Sequence, residues 1–147
     1  MRLRTLFVRP HVQQPKFFLD RSLGRIAVPS RLRAADWDLV TLAEHYGTPA
    51  DEQIADVQWI HDAATRGWPI LMKDKRIRYR RAEIDAVVQH RAQCFVITRG
   101  DLTSTEMADR FQSSRRAIYE AVNRSGPYIY AVHSDRLELL YPRDPNR

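Results

Sequence analysis

The feature that most constrains this chain is an alternation of short apolar runs with stretches of helical spacing, and two of those runs stop abruptly at an aspartate. Strand-like runs cover residues 16–19, 38–42, 69–73, 94–98 and 127–133, and residues 137–141 can fold back on the last of them through a turn at Ser134 and Asp135. Helical patterns fill the gaps. The first spans about residues 23–35 behind Ser22 as a cap, with Leu23, Ile26, Ala27 and Leu32 inward and a kink or restarted turn at Pro29. The second places Ile54, Val57, Ile60, Ala63 and Ala64 inward and ends at Gly67. The third spans about residues 82–91 with Ile84, Val87 and Val88 inward. The fourth runs from a capping-box spacing at Thr103 and Glu106 to about Asn123. Strands and helices in alternation need crossover connections, and these place helices on both faces of a parallel sheet. The fold class is therefore α/β, a sandwich around a mainly parallel sheet of about five strands. Ligands of such open sheets bind outside the carboxyl ends of the strands, where strand order reverses.

Residues 16–147 read as one domain, and residues 1–15, with Pro10, Pro15 and no clear period, read as an N-terminal arm. A chain of 147 residues buries roughly two thirds of its unfolded surface on folding, enough for a full core without staples. A single cysteine, Cys94, excludes an intrachain disulfide framework and a paired-cysteine redox or zinc site. No apolar run approaches the roughly 20 residues that cross a bilayer, and the stretch Leu6 to Val8 is too short for a secretory leader. A cytoplasmic protein is expected.

Charge is distributed in blocks. Residues 1–35 carry eight bases and one acid, residues 36–72 seven acids and one base, and residues 73–81 six bases and one acid, while the remainder balances within a net charge of +6. Each block taken alone is compatible with a solvated face; together they suit a polyanion-binding surface beside an acidic pocket.

The acids give that pocket a chemistry. Asp20 and Asp74 each follow an apolar run that fixes them at the carboxyl edge of the sheet. Glu44 lies just past the second strand, and Asp51, Glu52 and Asp56 lie at the start of the next helix, where they could equally serve as caps or dipole partners. Several carboxylates held together repel unless protons or cations intervene, and hard divalent cations such as Mg²⁺ and Mn²⁺ prefer oxygen ligands.

The segments FFLDRSLGR (residues 17–25), ADEQIADVQWI (residues 50–60) and GWPILMKDKRIRY (residues 67–79) resemble the PIN-like nucleases, in particular the group that contains the VapC-type toxins of bacterial toxin–antitoxin systems. The resemblance covers about residues 16–140 and implies a PIN-like α/β/α sandwich and a metal-dependent endoribonuclease whose acids hold one or two Mg²⁺ or Mn²⁺ ions. It assigns Asp20, Glu44, Asp56 and Asp74 to the catalytic set, with Asp20, Asp56 and Asp74 as metal ligands and Asp51 as the alternate to Asp56. Met72 departs from the pattern, standing where the family carries a threonine two residues before the aspartate. The resemblance also implies an antitoxin partner that blocks the acidic pocket; a homodimer is compatible with the sequence.

The expected reaction is hydrolysis of RNA phosphodiesters. Lys73, Lys75, Arg76, Arg78 and Arg80 could track phosphates into the pocket, with Arg21 and Arg25 as lesser contacts, and Tyr79 could stack on an unpaired base or simply sit on the surface. Two other classes share parts of this pattern. A phospho-accepting receiver domain also places aspartates after its first and third strands, yet Asp20 has no acidic neighbour and the fifth strand ends without a lysine. A PIN-like module that binds nucleic acid without turnover would keep the arginines but has no need of the acids.

Overall fold

The computed structural model describes residues 14–143. The N-terminal arm expected over residues 1–15 lies outside the described residues apart from Gln14 and Pro15. Among the described residues six strands, β1 (Lys16–Leu19), β2 (Asp38–Thr41), β3 (Ile70–Lys73), β4 (Gln93–Ile97), β5 (Tyr128–Val132) and β6 (Leu137–Tyr141), form one sheet in the order β2-β1-β3-β4-β5-β6. The first five are mutually parallel, and β6 pairs antiparallel with β5 as the expected hairpin. Six α-helices accompany them there: α1 (Ala27–Ala34), α2 (Leu42–Tyr46), α3 (Asp56–Thr65), α4 (Arg81–His90), α5 (Ser104–Ser113) and α6 (Arg115–Val122).

Period-two alternation in the strands divides the core between the two faces of the sheet. Phe17, Leu19, Leu71, Phe95 and Ile97 point to one side, where they meet residues of α1, α5 and α6. Phe18, Ile70, Met72, Cys94 and Val96 point to the other, against Trp59, Ile60 and Ala63 of α3 and Ala86 and Val87 of α4. This is the PIN-like α/β/α sandwich, with the buried strands apolar on both faces. Cys94 is fully buried, and its thiol is pushed up to about 12 by that burial, as suits a small core residue with no nucleophilic role.

Several helices depart from their expected form. The segment after Asp20 is a 3₁₀ turn (Arg21–Leu23) closed by Gly24, whose φ of 86° is a left-handed value, and only then does α1 begin. Ser22 therefore caps nothing in α1, and Ile26, 75% exposed, lies outside the core. Pro29 sits in the first turn of α1, where its missing N–H has no intrahelical partner to lose, so it produces neither a kink nor a restart. Leu42 leaves the strand and opens α2, because the Thr41 hydroxyl and the Glu44 carboxylate close a reciprocal capping box. In α3 the large buried residue is Trp59 while Val57 faces out, and in α4 Val88 faces out while Ala86 is buried. The expected single helix to Asn123 breaks at Ser114, whose backbone leaves helical geometry at φ −98°, ψ 11°. Ser114 closes α5 by donating its amide to the Arg110 carbonyl at 3.2 Å and opens α6 by accepting from the Ile118 amide at 2.8 Å.

Candidate active site

Strand order reverses between β1 and β3, since β2 follows β1 outward on one side and β4 follows β3 on the other. Asp20 ends β1 and Asp74 ends β3, so both aspartates stand at the switch point. The buried run Phe17, Phe18 and Leu19 leaves Asp20 little freedom of position, and its amide donates to the Leu71 carbonyl at 3.1 Å. The Asp20 side chain accepts from the Ser22 amide at 3.3 Å, which caps the 3₁₀ turn through Oδ2. Its Oδ1 is buried without a hydrogen-bond partner in a residue only 6% exposed. Burial pushes this carboxyl above its ordinary range, Ser22 pulls it back by favouring the charged form, and the charge of Asp56 pushes it further up.

Asp56 stands at the first position of α3, where it accepts from the indole N–H of Trp59 at 3.0 Å. Glu83, in the first turn of α4, neighbours Asp56, and burial first, with that carboxylate adding to it, raises its proton affinity. Neighbouring carboxylates repel when both are charged, and a cation beside them would relieve that repulsion. Asp74 accepts from the Arg76 amide at 2.8 Å and pairs through Oδ2 with Arg80 Nε at 2.7 Å. Arg80 also feels, more weakly than that of Asp74, the charges of Glu83 and Asp56. Glu83 is not among the residues expected from the sequence. Its signal there is slight, a single acid directly behind the basic run and at the start of a helix.

The other expected residues have different engagements. Glu44 accepts from the Thr41 amide and pairs with Arg33 at 2.7 Å, and these contacts hold its carboxyl below the ordinary range against the cost of burial. Asp51 is 2% exposed and pairs with Arg25 at 3.1 Å, while Arg25 also reaches Glu52. Arg21 donates to the carbonyls of Asp51 and Ile54 at 2.8 and 2.7 Å. Both arginines thus lash the segment behind β1 to the turn that precedes α3. Lys73 is half-buried, and its amide donates to the Ser22 hydroxyl at 3.0 Å. Lys75 packs its stem near Gly100, Arg78 pairs with Glu138 of β6 at 3.4 Å, and Tyr79 is 82% exposed. Met72 is a core residue and brings no hydroxyl; the Ser22 side chain, beside Asp20 and on the Lys73 amide, places a hydroxyl at this edge.

Among the described residues no three His, Cys, Asp or Glu side chains already converge on one point as a cation site. The donor set nonetheless fits a hard divalent ion: every donor is a carboxylate oxygen, one is buried without a partner, and a positive charge would relieve the repulsion between the neighbouring Asp56 and Glu83. Arg80 supplies positive charge on the Asp74 side.

These features define a doubly wound α/β protein with a carboxylate pocket at its topological switch and a basic flank. The family profile described as "PIN like domain" matches residues 15–99, the stretch that contains all four acids from Asp20 to Glu83. The protein named "Putative ribonuclease VapC45" of Mycobacterium tuberculosis is 38% identical over 120 residues, which span 82% of this chain and 87% of that relative. The chain belongs to the PIN-like domain family. No solved structure gives a significant match.

Proposed function

We propose that the chain is a divalent-metal-dependent endoribonuclease for single-stranded RNA, acting as the toxin of a cytoplasmic toxin–antitoxin pair. The observation that carries this reading is the unpartnered, buried oxygen of Asp20 next to the charge of Asp56 at the sheet's switch point. Leaving such an oxygen unsatisfied costs about 1–3 kcal/mol, and a site that binds a cation recovers that cost on binding. Asp20, Asp56 and Asp74, with Glu83 beside Asp56, are the residues that would hold Mg²⁺ or Mn²⁺. Asp51 and Glu44 are left out of this reading, which the ion pairs of Asp51 with Arg25 and of Glu44 with Arg33 support. A bound ion would neutralise charge on the phosphate and acidify the attacking water.

The protein's own residues do the rest. Asp20 and Asp56 fix the edge at which the phosphodiester arrives, and Trp59 orients Asp56 through its indole N–H. Arg80 can exchange Asp74 for a phosphate oxygen, since its partly exposed side chain moves at little cost. Lys73, Lys75, Arg76 and Arg78 raise the local concentration of a polyanion, and Tyr79 offers an exposed ring to an unpaired base. Arg21 and Arg25 serve the site by bracing the turn before α3. The name of the mycobacterial relative supports the ribonuclease assignment. Among the described residues no helix is long and apolar enough to cross a membrane.

The test is cleavage of a single-stranded RNA with Mn²⁺ by the wild type and by Asp20→Asn, each with and without chelator. Wild-type cleavage that the chelator and the substitution both abolish is expected; full cleavage in chelator or in the variant overturns the mechanism. Growth arrest on expression of the wild type alone, relieved by Asp20→Asn, tests the toxin role.

A further inference from the structure

A groove of about 760 Å³ lies between the 3₁₀ turn Ile77–Tyr79, the first turn of α4 and the strand β6. Its walls carry apolar groups, among them Ile77, Ile84 and Leu140, and its rim carries Arg78, Arg81 and Arg143. The one acid among its described lining residues, Glu138, is already engaged, paired with Arg78 at 3.4 Å and hydrogen-bonded to His133 at 2.8 Å. Tyr79 and Tyr141 add two rings, the first almost fully exposed.

The segment that forms one wall also serves the acidic pocket. Arg80 reaches Asp74, while its neighbours Tyr79 and Arg81 line the groove. A strand of RNA whose phosphodiester sits at Asp20 and Asp74 would therefore meet the groove within a nucleotide or two of the reacting bond. We propose that this groove is a subsite for the nucleotides flanking the scissile bond of single-stranded RNA, with bases against Tyr79 and Tyr141 and phosphates on Arg78, Arg81 and Arg143. The proposal rests on the ribonuclease reading above and specifies how that site would choose extended over minimal substrates. Charge complementarity selects the occupant: three guanidiniums against a single acid, Glu138, which occupies one of them, leave an excess of positive charge around an apolar floor that suits a polyanion with flat apolar faces. Two of the residues that line the groove, Tyr141 and Arg143, lie beyond the stretch that the family profile matches.

The experiment measures binding of a minimal RNA and of one extended by about four nucleotides to the full chain, with Ca²⁺ in place of Mn²⁺ to slow cleavage, over a series of salt concentrations. The wild type is expected to bind the extended RNA at least tenfold more tightly. Arg81→Ala and Arg143→Ala should each reduce that advantage and lower the salt slope by about 0.7 for each phosphate no longer neutralised, and Tyr79→Ala should weaken binding of the extended RNA by about tenfold. Arg143→Lys should recover most of the salt slope, which separates charge from a folding defect. Equal affinity for the two RNAs in the wild type overturns the subsite while leaving any cleavage of the minimal RNA intact. A length advantage that survives all three alanine substitutions also overturns it, and assigns the groove to a protein partner instead. Loss of cleavage in the wild type with the length advantage retained would instead refute the ribonuclease reading and keep the groove as a binding site.

Discussion

Asp20 and Asp51 are both buried aspartates, 6% and 2% exposed, yet they are in opposite electrostatic states. The carboxylate of Asp51 is held by Arg25 at 3.1 and 3.4 Å, and the backbone carbonyls of Asp51 itself and of Ile54 accept from Arg21. The carboxylate of Asp20 receives one backbone amide, keeps an oxygen without a partner and faces the charge of Asp56. Burial is common to both, so burial does not mark the site. Compensation does: Asp51 belongs to a finished ion pair, while the charge of Asp20 is completed only by a proton or a cation.

The two aspartates should differ most visibly in activity. Asp20→Asn is expected to lower RNA cleavage by about a hundredfold or more, since several kcal/mol of charge stabilisation depend on the site. The same substitution removes repulsion with Asp56, so the melting temperature of the metal-free variant should match or exceed that of the wild type. Mn²⁺ at a hundredfold excess over its Kd should stabilise the wild type by about 2.7 kcal/mol and the variant hardly at all. Thermal scans with and without Mn²⁺ check this, and a metal-free variant that is less stable than the wild type would make Asp20 a structural group like Asp51.

Asp51→Asn should behave in the opposite way. Removing one partner of a buried ion pair costs about 3–5 kcal/mol, but Arg25 keeps 48% of its side chain exposed and can be rehydrated. A loss of about 1–2 kcal/mol is therefore expected after that discount. Urea unfolding should show it as a lower midpoint at unchanged slope, with the Mn²⁺ shift retained. Loss of the Mn²⁺ shift at unchanged stability would make Asp51 a ligand.

The contrast also explains what is legible in the sequence. Apolar runs ending in acids locate both strand-end aspartates, because a buried strand leaves the following residue no choice but the sheet edge. Strand alternation likewise assigns Phe17 and Phe18 to opposite faces. The partners of each acid are beyond reach, since the pairing of Asp51 with Arg25 and of Arg33 with Glu44 depends on side-chain reach across segments 26 and 11 residues apart. Glu83 escapes for a related reason: it enters the site through the packing of α4 beside α3, and nothing local to it distinguishes a site acid from a dipole partner in the first turn of a helix. Helix faces differ from expectation where a single residue outweighs periodicity, as Trp59 does in turning α3 away from Val57.

The smallest effect is the most discriminating, because it reverses sign between two acids. Asp20 has a raised folded pKa, owing first to burial, so the folded metal-free state holds its proton more tightly than the unfolded chain. Its contribution to stability is present at low pH and is lost as pH rises from the unfolded value through the folded one. Glu44 has a lowered folded pKa, owing first to Arg33, so its contribution is present above the unfolded value and is lost as pH falls through the folded one. Measured against wild type without metal, Asp20→Asn should therefore gain relative stability as pH rises above about 4, and Glu44→Gln should lose it as pH rises towards about 4 from below. The Glu44 effect should be about 0.5 kcal/mol or less, since both partners are more than 40% exposed and solvent screens the pair. Parallel pH profiles for the two variants would abolish the distinction between an acid awaiting a cation and an acid already paired. A Glu44→Gln protein of unchanged stability that also loses its Mn²⁺ shift would move Glu44 into the ligand set beside Asp20.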